Sequence, residues 1–377
     1  MKSSCARQVF FLLLAEIVLS LLASAQTPPP WMPCSGANLV DQSFPTAGPE
    51  VTHWRLCWDT VPGNGLLIRW AYFRKSPTSN WLFLLWDARL SEIFVPYHTG
   101  SPRYYDVEYM FPLTPAGAQD CPAAVGGTVF GGNVCKQVHD RGLAWKSDND
   151  VRRGEELILW SALAAAWYNY VIEWTFRDDG VVIGRVGATS SNSPSDPWET
   201  HMHNPIWRLD VDLNGWPNDS VALGTHIESL PGPSATDVEP VFTVEAGLPW
   251  DPHAFNSLNV SDKFLKNGKG DQAEYQLIPL PTGGLSRHLE AFTQQDFWVT
   301  HYNWTEMSAR DLLSYITPPE PVADTDVVLW YKGSIHHHPR DEDGEIVNGY
   351  WHGVALVMWT GFMFKPHDLF DRTPFYP

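Results

Sequence analysis

Short runs of aromatic and β-branched residues, separated by turn residues, recur from residue 51 to the C-terminus with no long helical period between them. Residues 65–73, 81–86, 170–176 and 180–186 are such runs, and each predicts a strand. Asp179-Gly180 lies between the last two and predicts a hairpin turn, because Asp-Gly supplies the positive φ angles that such turns need. Nineteen Trp and 31 Pro also fit strands and loops better than a helix bundle. The fold class expected is all-β, a large antiparallel β-sandwich spanning residues 51–377. Residues 26–50, which begin Gln26-Thr-Pro-Pro-Pro, carry no periodicity and predict an irregular Pro-rich leader.

Lys2 and Arg7, the apolar stretch that follows, and the small-x-small exit Ala23-Ser-Ala25 predict a secretory signal peptide over residues 1–25. The location expected is secreted or in the secretory-pathway lumen, with no membrane span. Removing that segment leaves Cys34, Cys57, Cys121 and Cys135, and an even count in a secreted chain favours disulfides. Four cysteines allow three pairings, and the short loops favour Cys34 with Cys57 and Cys121 with Cys135. Asn218, Asn259 and Asn303 begin Asn-x-Ser/Thr glycosylation sequons. The net charge of −18 speaks against a broad nucleic-acid surface, since phosphate contacts need clustered Lys and Arg.

The first chemical signal is His201-Met-His203. Residues two apart on a strand point the same way, so both imidazoles can reach one ion. In Ile335-His-His-His338, a strand puts His337 on one face and His336 and His338 on the other, which makes His337 the candidate third ligand. Three neutral imidazoles suit copper or zinc, and copper leads by the Irving–Williams order. The plain alternative is a polar strand face and an exposed histidine turn. Asp210, Asp212 and Asp326 sit at odd offsets from these histidines and would face away from them. With backbone carbonyls they predict a separate hard-cation site, with calcium the expected ion. The alternative there is a solvated acidic loop.

These stretches resemble the catalytic domain of the copper amine oxidases, and that domain only. The matching runs are His201-Met-His-Asn-Pro-Ile-Trp-Arg-Leu-Asp-Val-Asp212, Asp326-Val-Val-Leu-Trp-Tyr, His337-His-Pro-Arg340, Gly361-Phe-Met-Phe-Lys-Pro-His-Asp-Leu-Phe-Asp371 and Leu90-Ser-Glu-Ile-Phe-Val-Pro-Tyr97. Their order is kept from about residue 53 to the end. The resemblance implies a β-sandwich with copper on His201, His203 and His337, and calcium on Asp210, Asp212, Asp326 and the carbonyls of Val211 and Val327. It implies a topaquinone (TPQ) cofactor made from Tyr168, with Asp106 as catalytic base and Tyr97 hydrogen-bonded to the quinone. Cys121 and Cys135 match a family cystine. The implied reaction uses O2 to convert a primary amine into aldehyde, ammonia and hydrogen peroxide, in a homodimer.

The chain departs from the family at the tyrosine. A Thr-x-x-Asn-Tyr-Asp/Glu setting is expected, and the sequence reads Ala164-Ala-Ala-Trp-Tyr-Asn169. That departure motivates two alternatives: a quinone-less descendant using Asp106 for non-oxidative chemistry such as a cyclisation, and a non-catalytic binding protein.

Overall fold

The computed structural model describes residues 29–190, 198–229, 234–251, 253–280, 286–348, 350–353 and 355–375. The signal-peptide segment 1–25 lies outside the described residues. Two ten-stranded, antiparallel sheets face each other across one main hydrophobic core.

The first sheet runs Leu39–Phe44, Thr52–Val61, Gly65–Arg74, Leu82–Pro96, His201–Val211, Val327–Lys332, Phe297–His301 and Ala246–Leu248, edge to edge. Two short strands attach to it: Arg103–Tyr105 on Leu82–Pro96, and Ile335–His337 on His201–Val211. The second sheet runs Ser234–Val238, Asp219–Ser229, Phe255–Lys266, Gln272–Leu280, Ala355–His367, Val182–Ser190, Tyr168–Arg177, Val151–Ala165, Val134–Lys146 and Thr128–Phe130.

The side-chain period of two explains both kinds of strand. Gln272–Leu280 alternates buried and half-buried along its whole length, as a strand with one face on the core must. Val327–Lys332 is buried at every position, because a smaller cluster including Phe292, Leu312 and Trp330 covers its far face. Trp54, Trp174 and Trp207 are fully buried between the sheets, and large aromatics of this kind supply much of the apolar area a sandwich core needs. The Asp179-Gly180 turn forms as expected, with Gly180 at φ 84° and its N–H donating to Arg177 O.

Both expected disulfides are present, Cys34–Cys57 and Cys121–Cys135. The leader differs from expectation. Leu39–Phe44 pairs along Thr52–Cys57, so the sandwich begins before residue 51. Val40 and Phe44 bury their side chains in the core, and a six-residue edge strand is too short to announce itself through periodicity. Among the described residues, no helix is long and apolar enough to cross a membrane.

Candidate metal centre

His201–Val211 is the hinge of the site. Its N-terminal end pairs with Ile335–His337, in the register His201 opposite His337 and His203 opposite Ile335. Further along, the same strand pairs with Val327–Lys332. Backbone pairing thus carries a histidine from residue 337 to within reach of two at residues 201 and 203. All three are buried, at 0%, 0% and 1% exposure, and each offers a nitrogen within 4.8 Å of the others.

The opposite wall comes from the second sheet. Tyr168 and Tyr170 share the core-facing side of Tyr168–Arg177, and Asn169 between them does not. The Tyr168 hydroxyl lies 2.8 Å from His201 Nε2 and 3.1 Å from His337 Nδ1. Tyr97 packs flat on the His201 ring, with ring centres 4.4 Å apart.

The outward nitrogens decide which tautomers are present. His201 Nδ1 donates to Glu199 O at 3.0 Å, and His337 Nε2 donates to Asp343 Oδ2 at 2.9 Å. Tyr170 donates its hydroxyl proton to Asp106 Oδ2 at 2.7 Å, so its oxygen accepts from His203 Nδ1 at 2.8 Å. Each imidazole therefore turns a lone pair inward, with His201 Nε2 and His203 Nε2 only 3.1 Å apart. Lone pairs converging in a buried space repel one another unless a cation lies among them, and outer oxygens that fix the tautomer are the usual support of metal-bound histidine. The donor set fits copper or zinc. Burial holds His201 down to about 3 and His203 well below its ordinary value, which keeps both neutral and able to ligate.

Asp106 follows the short strand Arg103–Tyr105. Part of the residue is exposed, but its carboxyl lies deep, and burial raises it to about 7 against the lowering effect of the Tyr170 hydrogen bond. Asp106, Tyr168, Tyr170 and Tyr97 line one cavity of about 470 Å³, with Trp167 on its wall. That volume suits a small organic molecule. Trp167 is 43% exposed. It follows Ala166, whose φ of 55° is a left-handed conformation that costs a non-glycine residue about 1–2 kcal/mol.

The second expected cluster also forms. Asp210, Asp212 and Asp326 bring carboxylate oxygens within 4.8 Å of one another, and Val211 pairs directly with Val327. Burial raises these carboxyls to about 7, 8 and 6, and Asp326 adds to the rise at both Asp210 and Asp212. Asp326 Oδ1 has no hydrogen-bond partner among the described residues. Partly satisfied, mutually repelling acids are a donor set suited to a hard cation.

The sequons differ in setting. Asn303 is exposed and accepts from Thr305 Oγ1 at 2.8 Å, and Asn218 is half-buried. Asn259 is 6% exposed, its amide donates to Glu239 and it accepts from Ser257 Oγ at 2.7 Å, on the lining of a surface cavity of about 400 Å³ that also includes Glu239 and Gln276. A sequon motif carries no information about burial.

Sequence reasoning missed Tyr170 and Asp343 as supports of the histidines. The two-residue offset from Tyr168 could have flagged Tyr170, whereas Asp343 comes from the turn after His337 and has no periodic signal. Tyr170→Phe is expected to weaken copper binding by about 10–100-fold, the usual effect of losing an outer partner of a metal ligand. Competition of the purified protein against a copper chelator reads this directly, and unchanged affinity would remove Tyr170 from the support of His203.

Residues 197–376 match the family model for the copper amine oxidase enzyme domain. The copper-containing amine oxidase gamma 1 of Arabidopsis thaliana is 23% identical, over 82% of this chain and 54% of that protein. The primary amine oxidase of Klebsiella aerogenes is 25% identical, over 61% of the chain and 36% of that protein. The crystal structure of a copper-containing benzylamine oxidase from Hansenula polymorpha superposes with a TM-score of 0.66 at 17% identity, covering 93% of this chain and 65% of that one. The fold and the histidine triad thus define a copper amine oxidase-like β-sandwich. Over residues 197–376 the chain is similar to that family's enzyme domain. It spans about half the length of the first curated relatives it matches.

Proposed function

We propose that the protein is a copper-dependent oxidase of primary amines, acting in the secretory pathway or outside the cell. One observation carries the reading: three imidazole lone pairs converge beside the Tyr168 hydroxyl, at 2.8 Å from one and 3.1 Å from another. His201, His203 and His337 would hold the copper, and Tyr168 is the residue from which a topaquinone would derive. Copper and that quinone would supply the electrophile and the electron sink. The balance is RCH2NH2 + O2 + H2O giving RCHO + NH3 + H2O2.

The chain's own residues then have distinct tasks. Asp106, held by Tyr170, takes the proton from the carbon that bears nitrogen. Tyr97 and Tyr104 wall the cavity and exclude water beside Tyr168. The test is amine-dependent peroxide release by protein matured with copper and O2, assayed with aromatic and aliphatic primary amines. Peroxide that tracks amine supports the reading, and its absence from copper-loaded protein counts against it.

A second reading has its own support. Trp167 stands where the resemblance expects Asn, and the Ala166–Trp167 turn is strained. A quinone-less enzyme would keep Asp106 and the cavity for non-oxidative chemistry. A purely structural role fits less well, because the cavity is kept open.

Calcium on Asp210, Asp212, Asp326 and the carbonyls of Val211 and Val327 belongs to the same proposal, as do a homodimer and N-glycosylation at Asn218, Asn259 and Asn303. Calcium at about a hundred times its Kd is expected to stabilise the fold by about 2.7 kcal/mol. The sign with pH follows from the raised carboxyls. Without a cation their folded values of about 6 to 8 exceed the ordinary carboxyl value of 3.8, so stability is lost as pH rises through that range. Calcium should therefore raise the melting temperature more at pH 8 than at pH 5. A melting temperature indifferent to calcium and EDTA at pH 8 would sink this assignment.

A further inference from the structure

The alternation that turns His337 inward turns its neighbours outward. His336 and His338 are exposed, and neither has a task in the buried centre. A third exposed histidine, His98, comes from a different segment. Its backbone N–H donates to Thr200 O at 3.0 Å, next to the start of His201–Val211, and Tyr97 forms a backbone bridge with His201. The His98 and His336 rings lie 5.6 Å apart and nearly parallel, and the His336 and His338 rings are 6.2 Å apart. His338 Nδ1 is 3.1 Å from Thr200 Oγ1.

Those spacings are meaningful. With metal–nitrogen bonds of about 2.0 Å, the centres of two imidazoles sharing an ion lie about 4.5–6.3 Å apart. The buried triad itself shows 4.8, 4.9 and 6.2 Å. Two of the three outer pairs, His98 with His336 and His336 with His338, fall within the same span, and the exposed side chains would have to turn to bring all three nitrogens onto one ion. Glu199 lies on the same surface, where its Oε1 accepts from Thr99 N at 3.0 Å, and the chain's net charge of −18 favours cation approach. His201, His203 and His337 are almost wholly buried, so an ion reaching them must first be desolvated at the surface.

We propose that His98, His336 and His338 form an outer imidazole site that captures copper(II) and raises the rate at which the buried triad fills. The capture site rests on its own geometry, and the transfer rests on the copper reading of the buried triad. Imidazole nitrogens on both sides of a single strand give the ion successive ligands of one kind. No electrons move in this step; water is exchanged for nitrogen at the ion.

The experiment uses the full chain, stripped with EDTA and titrated with copper sulfate under electron paramagnetic resonance. Wild-type protein should take up two equivalents with nitrogen coupling. The His98→Gln/His336→Gln/His338→Gln protein should take up one, and with limiting copper it should fill that site at least tenfold more slowly, to the same end point. The His201→Gln/His203→Gln protein should keep the outer equivalent. Equal stoichiometry and equal loading rate in wild type and the triple variant would overturn the proposal. The buried centre fails separately, if removing His201 and His203 leaves total uptake unchanged. Because the three outer residues are exposed, the triple variant is expected to melt as wild type does.

Discussion

Asp106→Ala is expected to lower amine turnover by about 10²–10⁴-fold, the range a positioned general base contributes. A carbon acid gives up its proton slowly unless a base is in contact with it, and Asp106 is the carboxyl that the cavity shares with Tyr168. The base must be ionised to work. Its value of about 7 then means that kcat/KM rises with pH up to about 7 and levels off above it. Tyr170 donates to the same carboxylate and lowers its value, so Tyr170→Phe should move that rise to higher pH. The Asp106→Ala protein should keep its copper, because Asp106 touches no histidine directly. Full activity in that variant, or a profile flat from pH 5 to 9, would dismiss Asp106 as the base.

Tyr168→Phe separates the two enzymatic readings most sharply. It keeps the ring packed between His203 and Tyr170 and removes one oxygen. The lost hydrogen bond costs about 1 kcal/mol of stability. If Tyr168 is the quinone source, amine-dependent peroxide should fall to background while the histidines still bind copper. If the enzyme is quinone-less, its reaction should proceed in Tyr168→Phe nearly as in wild type, and Asp106→Ala alone should stop it.

Much of the centre was legible in the sequence because strands obey a short period. His201 and His203 two apart, and His337 alternating against His336 and His338, follow from side-chain direction alone. Strand alternation made His337 a candidate third ligand, and the resemblance singled it out, because its meeting with His201 depends on a strand pairing across more than a hundred residues. Asp343 was invisible for another reason: it reaches His337 from a turn, where no repeat constrains it. Tyr170 shared a face with Tyr168, yet nothing local told a hydrogen-bonded bridge from a core aromatic. The Leu39–Phe44 strand hid in a Pro-rich leader because its partner, Thr52–Cys57, supplies the order that its own composition lacks.

The central claim is that a tyrosine hydroxyl, set among three metal-ready imidazoles, is the source of a redox carbonyl. Phenylhydrazine labelling of the full chain, matured with copper and O2 and then digested for mass spectrometry, tests it most directly. The account predicts a coloured adduct confined to the peptide that contains Tyr168, formed only after copper was present. An unmodified Tyr168 peptide from protein that holds a full equivalent of copper at the buried histidines would contradict it.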